Sequence, residues 1–124
     1  NRIEDLEAFK KSYSLAMDIF RATLKFPSEE RYALISQIRR SSRSVSLNLC
    51  EAWAKRRYEA HFISKLTDCN GENMETATSL QFALDCGYLS PEEADSLITR
   101  NREVGRLLGA MLRNPQTWLL TPVT

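Results

Sequence analysis

The chain has 124 residues, 43% of them hydrophobic, with 17 Lys and Arg against 16 Asp and Glu and a formal net charge of +1. That length and balance fit one globular domain with a single core. They exclude any whole-molecule attraction for a polyanion, so such an attraction has to be local. No apolar run approaches the roughly eighteen residues that span a bilayer. The N-terminal NRIEDLEAFKK is acidic and amphipathic, unlike a signal peptide, so a cytoplasmic chain without membrane contact is expected.

Leu6, Phe9, Tyr13, Ala16, Met17, Phe20 and Leu24 recur at three- and four-residue spacing, with Glu7, Lys11, Asp18, Arg21 and Lys25 between them. That pattern predicts a first amphipathic helix with the apolar set facing inward. In FPSEER, Pro27 breaks this helix, Ser28 can cap the next, and Glu29 and Glu30 suit its positive end. The second helix is expected to turn Leu34, Ile38, Ser41 or Ser42, Val45, Leu49 and Ala52 inward, and Lys55 to Ala60 is the expected turn. A third helix follows from Phe62 through Leu66, Cys69, Asn73, Ala77, Leu80 and Leu84. Gly87 is a natural C-terminal cap. Ser90, Pro91 and Glu93 form a capping box for a fourth helix, which carries Ala94, Leu97, Asn101, Val104, Leu108 and Met111 inward and stops before Pro115. Nothing alternates like a strand. The expected fold is all-α, an antiparallel up-and-down four-helix bundle over residues 1–114. Residues 115–124 form a C-terminal tail, either a flexible end or an arm that packs on a neighbour.

Catalytic chemistry finds no support in this pattern. His61 is the only histidine and sits beside a basic turn with no Ser/Asp arrangement around it. One histidine cannot supply the paired Glu-x-x-His motifs of a di-iron bundle, and no glycine precedes a Lys-Ser or Lys-Thr pair as in a phosphate-binding loop. Cys50, Cys69 and Cys86 are scattered, with no C-x-x-C, and read as reduced, buried thiols. A protein without enzymatic activity, metal or cofactor is expected.

Charge is unevenly distributed. Residues 25–67 hold nine basic side chains against four acidic ones, whereas residues 68–124 hold eight acidic against four arginines. Arg39 and Arg43 lie one helical turn apart with Arg40 beside them, so the three can track successive phosphates. Lys55, Arg56, Arg57 and Lys65 extend the candidate nucleic-acid-binding set. The plain alternative is a solvated basic face paired with acids of the third or fourth helix. Asp68, Asn70, Glu72, Asn73 and Glu75 load the third helix with polar groups. These either bond to Ser41, Ser42, Ser46 and Asn48 as a layer that fixes helix register, or sit at a subunit interface.

The segments IEDLEAFKKSYSLAMDIF, FPSEERYALISQIRRSSRSVSLNLCEA, KRRYEAHFISKL and LDCGYLSPEEAD together resemble the 23S rRNA-intervening sequence protein family. That family of four-helix bundles includes the accessory variability determinant of diversity-generating retroelements. The resemblance runs from about Ile3 to Arg113 and is most specific in the second helix, at Glu30-Arg31, Leu34, Gln37 to Ser41, Ser44-Val45, Asn48 and Glu51-Ala52. Gly87-Tyr88-Leu89, and Gly71 with Glu75, also match. The resemblance implies a bacterial protomer that assembles into a ring-like homopentamer and has no catalytic role. It also implies a basic surface that in retroelement members contacts nucleic acid and a reverse transcriptase. Arg39, Arg40 and Arg43 match the family's basic helix, and Lys55, Arg56 and Arg57 its basic turn. Where many members have Ile-Pro before the asparagine and a Gly-rich turn after the Glu-Ala pair, this chain has Val45-Ser46-Leu47 and Ala52-Trp53-Ala54. The expected function is an oligomeric scaffold that binds RNA or DNA, with a reverse transcriptase as a further partner. The alternative is a protein-interaction adaptor that recruits a partner through its acidic half or the Trp118 tail, with no nucleic-acid role.

Overall fold

The structure is a computed structural model and describes residues 2–120. Four helices follow in order: α1 (Glu7–Thr23), α2 (Leu34–Ala54), α3 (Glu59–Asp85) and α4 (Pro91–Arg113). Single 3-10 turns at Ile3–Asp5, Ser28–Glu30 and Pro115–Thr117 flank them. Each helix packs on its neighbours in sequence, and α1 closes the ring against α4. Short connections reverse the chain each time, giving the antiparallel up-and-down bundle. No helix among the described residues is long and apolar enough to cross a membrane.

The helix ends follow local chemistry. Ser90 Oγ accepts from the Glu93 N–H at 3.1 Å, Glu93 Oε1 accepts from the Ser90 N–H at 3.0 Å, and Pro91 opens α4. This is a complete capping box. At the end of α3, Gly87 takes φ +79°, which lets the N–H groups of Gly87 and Tyr88 turn back to Leu84 and Ala83 carbonyls, both at 2.9 Å. The start of α2 departs from expectation. Ser28–Glu30 forms only a 3-10 turn, and no side chain caps α2 at Ala33. Instead Glu30 Oε1 accepts from the Leu34 N–H at 3.3 Å while its other oxygen accepts from the Tyr88 hydroxyl at 2.8 Å. One carboxylate thus ties the α2 entry to the α3–α4 turn.

The core is built on Ile19, Ile38, Leu49, Phe62, Leu66, Leu80, Val104 and Leu108, all fully buried. The inward positions of α2 and α4 are those their spacing predicts. α1 is rotated from its predicted setting. It buries Ala8, Ser12, Leu15, Ala16, Ile19 and Thr23, while Tyr13 and Leu24 are 56% and 66% exposed and Met17 faces solvent. The small and hydroxylated residues of α1 face the core because they allow α2 to approach closely, and the bulky stripe is left outside.

A buried polar layer crosses the bundle. The Ser12 and Ser46 hydroxyls lie 2.9 Å apart between α1 and α2, and those of Ser41 and Thr76 lie 2.9 Å apart between α2 and α3. Between α3 and α4, the Asn73 amide donates to the Asn101 carbonyl at 3.1 Å and the Asn101 amide donates to the Asn73 carbonyl at 3.1 Å. Gly105 brings α4 close here: a Cβ on it would stand 3.2 Å from Asn73 Nδ2. Among the described residues no buried side-chain nitrogen or oxygen lacks a partner. The layer is therefore satisfied, but its members differ from those expected. Asn73 pairs with α4 rather than with the α2 serines, and Asp68 and Glu75 point outward.

Two further expectations are corrected. Only Cys69 is a buried thiol, its pKa pushed up to about 12 by burial, whereas Cys50 and Cys86 are exposed because they fall off the inward stripes. The tail from Pro115 to Leu120 folds back on its own bundle. Trp118 and Leu119 pack against the core, the Trp118 ring lies 6.2 Å from that of Trp53, and the Leu120 N–H donates to the Arg56 carbonyl at 3.1 Å. Residues 121–124 of the expected tail lie outside the described residues.

Replacing Asn101 with Ala removes the amide that donates to the Asn73 backbone carbonyl and to Asn73 Oδ1, and so leaves a buried side-chain oxygen of Asn73 without its donor. Urea denaturation should show a loss of roughly 1–3 kcal/mol. The α4 cap gives a pH test. Hydrogen bonds from Lys25 and the Ser90 N–H hold the Glu93 carboxyl down at about 2, against an ordinary value of 4.5. A carboxylate whose folded pKa is lowered contributes stability above its unfolded value and loses it as pH falls toward the folded one. Thermal melts should therefore show wild type losing more stability than Glu93→Gln between about pH 4.5 and pH 2, with the gap between them closing at the acid end.

Candidate nucleic-acid and assembly surfaces

The seven basic residues expected to bind nucleic acid do not form one patch. Arg39 and Arg43 share the side of α2 that faces α1. The Arg39 Nε donates to Thr23 Oγ1 at 2.8 Å, and the two guanidinium carbons stand 4.7 and 5.8 Å from the centre of the Phe20 ring. Arg40, about 100° further round the helix, turns toward α3, where its charge reaches Glu72. Lys65 is held by Glu51 at 2.5 Å and by Asp68 at 3.8 Å. Arg56 stacks 3.7 Å over the Trp53 ring and donates from Nε to the Trp53 carbonyl at 2.9 Å, and burial lowers its pKa. Lys55 and Arg57 occupy the α2–α3 turn, about 18 Å along the axis from Arg43 at 1.5 Å per residue. Arg40, Arg43 and Arg57 are exposed and Lys55 half-buried. The structure thus divides the set into Arg39, Arg56 and Lys65, which are held by hydrogen bonds or ion pairs within the protomer, and Arg40, Arg43, Lys55 and Arg57, whose contacts are looser and of which all but Lys55 are exposed.

The α1–α4 seam uses its charges internally. Lys11 pairs with Glu103 at 2.5 Å, Arg100 with Asp18 at 2.7 Å, and Lys25 with Glu93. The outer side of α3 is compensated only in part, by Lys65 at Asp68 and by Arg40 near Glu72. From Leu66 to Asp85 it carries Asp68, Glu72, Glu75 and Asp85 and no Lys or Arg. Burial, together with the neighbouring Glu75, raises the pKa of Glu72. On the same helix Met74 and Phe82 are 63% and 60% exposed.

One surface was not identified from the sequence as a site at all. Between α1 and α2 runs an apolar groove of about 280 Å³, lined by Phe9, Tyr13, Met17, Leu47 and Cys50 with Arg43 at its edge. Its signal was present in the apolar excess of α1, where Leu15 and Ile19 are buried in the core, Phe9 is half-buried at its edge, and Tyr13 and Met17 stand outside. A second cavity of about 560 Å³ lies at the bundle end, between Leu6, Trp53, Met111 and Trp118.

Neither surface assembles a nucleophile and base. His61 is exposed and sits edge-on to Tyr58, ring centroids 5.9 Å apart. No group of three or more His, Cys, Asp or Glu among the described residues is placed to hold a metal ion. What these surfaces can do is associate: apolar contact in the groove, and charge contact along α2 and α3.

Among solved structures, the chain is similar to the crystal structure of a protein of unknown function from the S23 ribosomal protein family of Bacteroides thetaiotaomicron. The TM-score is 0.76 at 24% identity, over 86% of this chain and 99% of that one, a likeness of fold. No curated protein matches the chain. The model of the 23S rRNA-intervening sequence protein family matches residues 4–110. With the match running from the first helical turn through nearly all of α4, the chain belongs to the 23S rRNA-intervening sequence protein family.

Proposed function

We propose that the protein is a non-catalytic, homo-oligomeric scaffold that holds RNA or DNA through the basic side chains of α2 and the α2–α3 turn. The observation that carries this reading is the coexistence of exposed cations at Arg40 and Arg57, with the half-buried Lys55 in the same turn, and a separate exposed apolar groove between α1 and α2. The groove supplies a surface that association would bury. The cations supply phosphate contacts too few for tight binding by one protomer. Repetition around a ring, a pentamer by the family resemblance, would convert those contacts into useful avidity. An accessory role beside a reverse transcriptase is a narrower form of the same reading, since that partner would work on the nucleic acid the scaffold holds.

A second reading, a protein-interaction adaptor without a nucleic-acid role, is favoured by one observation. Arg39, Arg56 and Lys65 already have partners within the protomer, so part of the basic stretch supports the fold.

Light scattering coupled to size exclusion, with and without a structured RNA, separates the two. The expected result is an oligomer that takes up RNA at low salt and releases it at moderate salt. Arg40→Gln and Arg57→Gln should each reduce the slope of log affinity against log salt by about 0.7–0.9 without altering the mass of the free protein. An oligomer indifferent to RNA at low salt would leave the adaptor reading in its place.

A further inference from the structure

The groove between α1 and α2 and the outer face of α3 each hold more than one large apolar side chain in solvent on a charged background, and their charges are opposite. Arg43 edges the groove beside Tyr13, Met17 and Leu47. Met74 and Phe82 stand on α3 among Asp68, Glu75 and Asp85, with no cation on that helix beyond Lys65. We propose that the α1–α2 groove of one protomer docks on the outer face of α3 of the next, head to tail. This rests on the homo-oligomeric reading above and names the two surfaces it would join.

Charge selects this pairing over the alternatives. A two-fold contact of groove on groove would bring Arg43 of each copy toward the same positive edge. One of α3 on α3 would set the carboxylates of one copy against those of the other, and like charges across an interface are unfavourable. Groove on α3 sets the arginine against carboxylates and covers Leu47, Met17 and Tyr13 with Met74 and Phe82. Gly71 points the same way independently. It lies within α3 on this exposed face, and a Cβ added there would meet nothing within 4 Å. Its own bundle thus makes no use of the missing side chain, although a helix-interior glycine costs about 1 kcal/mol relative to alanine. Close approach of a second copy's side chains would use it. Because the two surfaces differ, the contact is heterologous, and such contacts close into rings when the rotation between copies permits.

The test uses two variants at exposed positions, Leu47→Asp in the groove and Met74→Asp on α3, each checked by circular dichroism for an unchanged helical melt. Light scattering should find each variant alone reduced to one protomer. Mixed in equal amounts they should form a dimer and nothing larger, because the intact groove of Met74→Asp can still dock on the intact α3 of Leu47→Asp and neither free end can continue. Wild type that is oligomeric, with either variant alone keeping its mass, would overturn the docking proposal and leave the assembly reading standing. Monomeric variants that give no dimer on mixing would do the same. Monomeric wild type would overturn both.

Discussion

The bundle depends on its buried polar layer. Apolar side chains pack favourably in many rotational settings of a helix, but the reciprocal Asn73–Asn101 pair and the Ser12–Ser46 and Ser41–Thr76 contacts are met in only one. Any other setting strands a hydrogen-bonding group away from water, which costs more than the bond itself contributes. A polar layer of this kind trades some stability for register. That register decides what the outside looks like. Holding Asn73 inward turns Met74 and Glu75 out, and holding Ser12 inward turns Tyr13 out.

Charge is used in two ways across the molecule. Along the α1–α4 seam, Lys11, Lys25 and Arg100 are matched to acids of the same protomer, and that side is closed to further electrostatic business. On α2 and α3 the matching is incomplete, with basic groups collected on one helix and carboxylates on the next. Lys65 with Glu51 is an ion pair between them. A chain of nearly zero net charge thereby acquires a strong internal asymmetry. Electrostatic contacts thereby gain a direction without an indiscriminate attraction to polyanions.

Much of the fold was legible in the sequence because its signals are local. The Ser90–Glu93 box, Pro91 and Gly87 specify their turns through atoms a few residues apart. The apolar spacing of α2 and α4 also matched the buried face. α1 was misread for a physical reason: it carries two apolar stripes, and the one with the larger side chains is not the one in the core. Ser12 and Thr23, buried through contacts with Ser46 and Arg39, carry no mark in the sequence of their inward position. The start of α2 was misplaced because Ser28–Glu30 forms a separate 3-10 turn and the α2 N-terminus at Leu34 is met by the Glu30 carboxylate rather than by Ser28. At the candidate site, the basic residues could be picked out by number but not sorted. Whether an arginine faces solvent, a tryptophan ring or a carboxylate is set by helices far away in sequence, as Arg56 and Lys65 show.

Gly105 illustrates how a constraint can hide in an unremarkable residue. Its backbone is ordinary helix, so neither a turn nor an unusual dihedral demands glycine there. The demand comes from across the bundle, where the amide of Asn73 would stand only 3.2 Å from an added methyl group and would have to give way slightly. An alanine at this position, ordinarily a gain for a helix, would press on the one side-chain pair that locks α3 to α4. A substitution at 73, 101 or 105 is therefore felt at the other two, because the three share one close contact between α3 and α4.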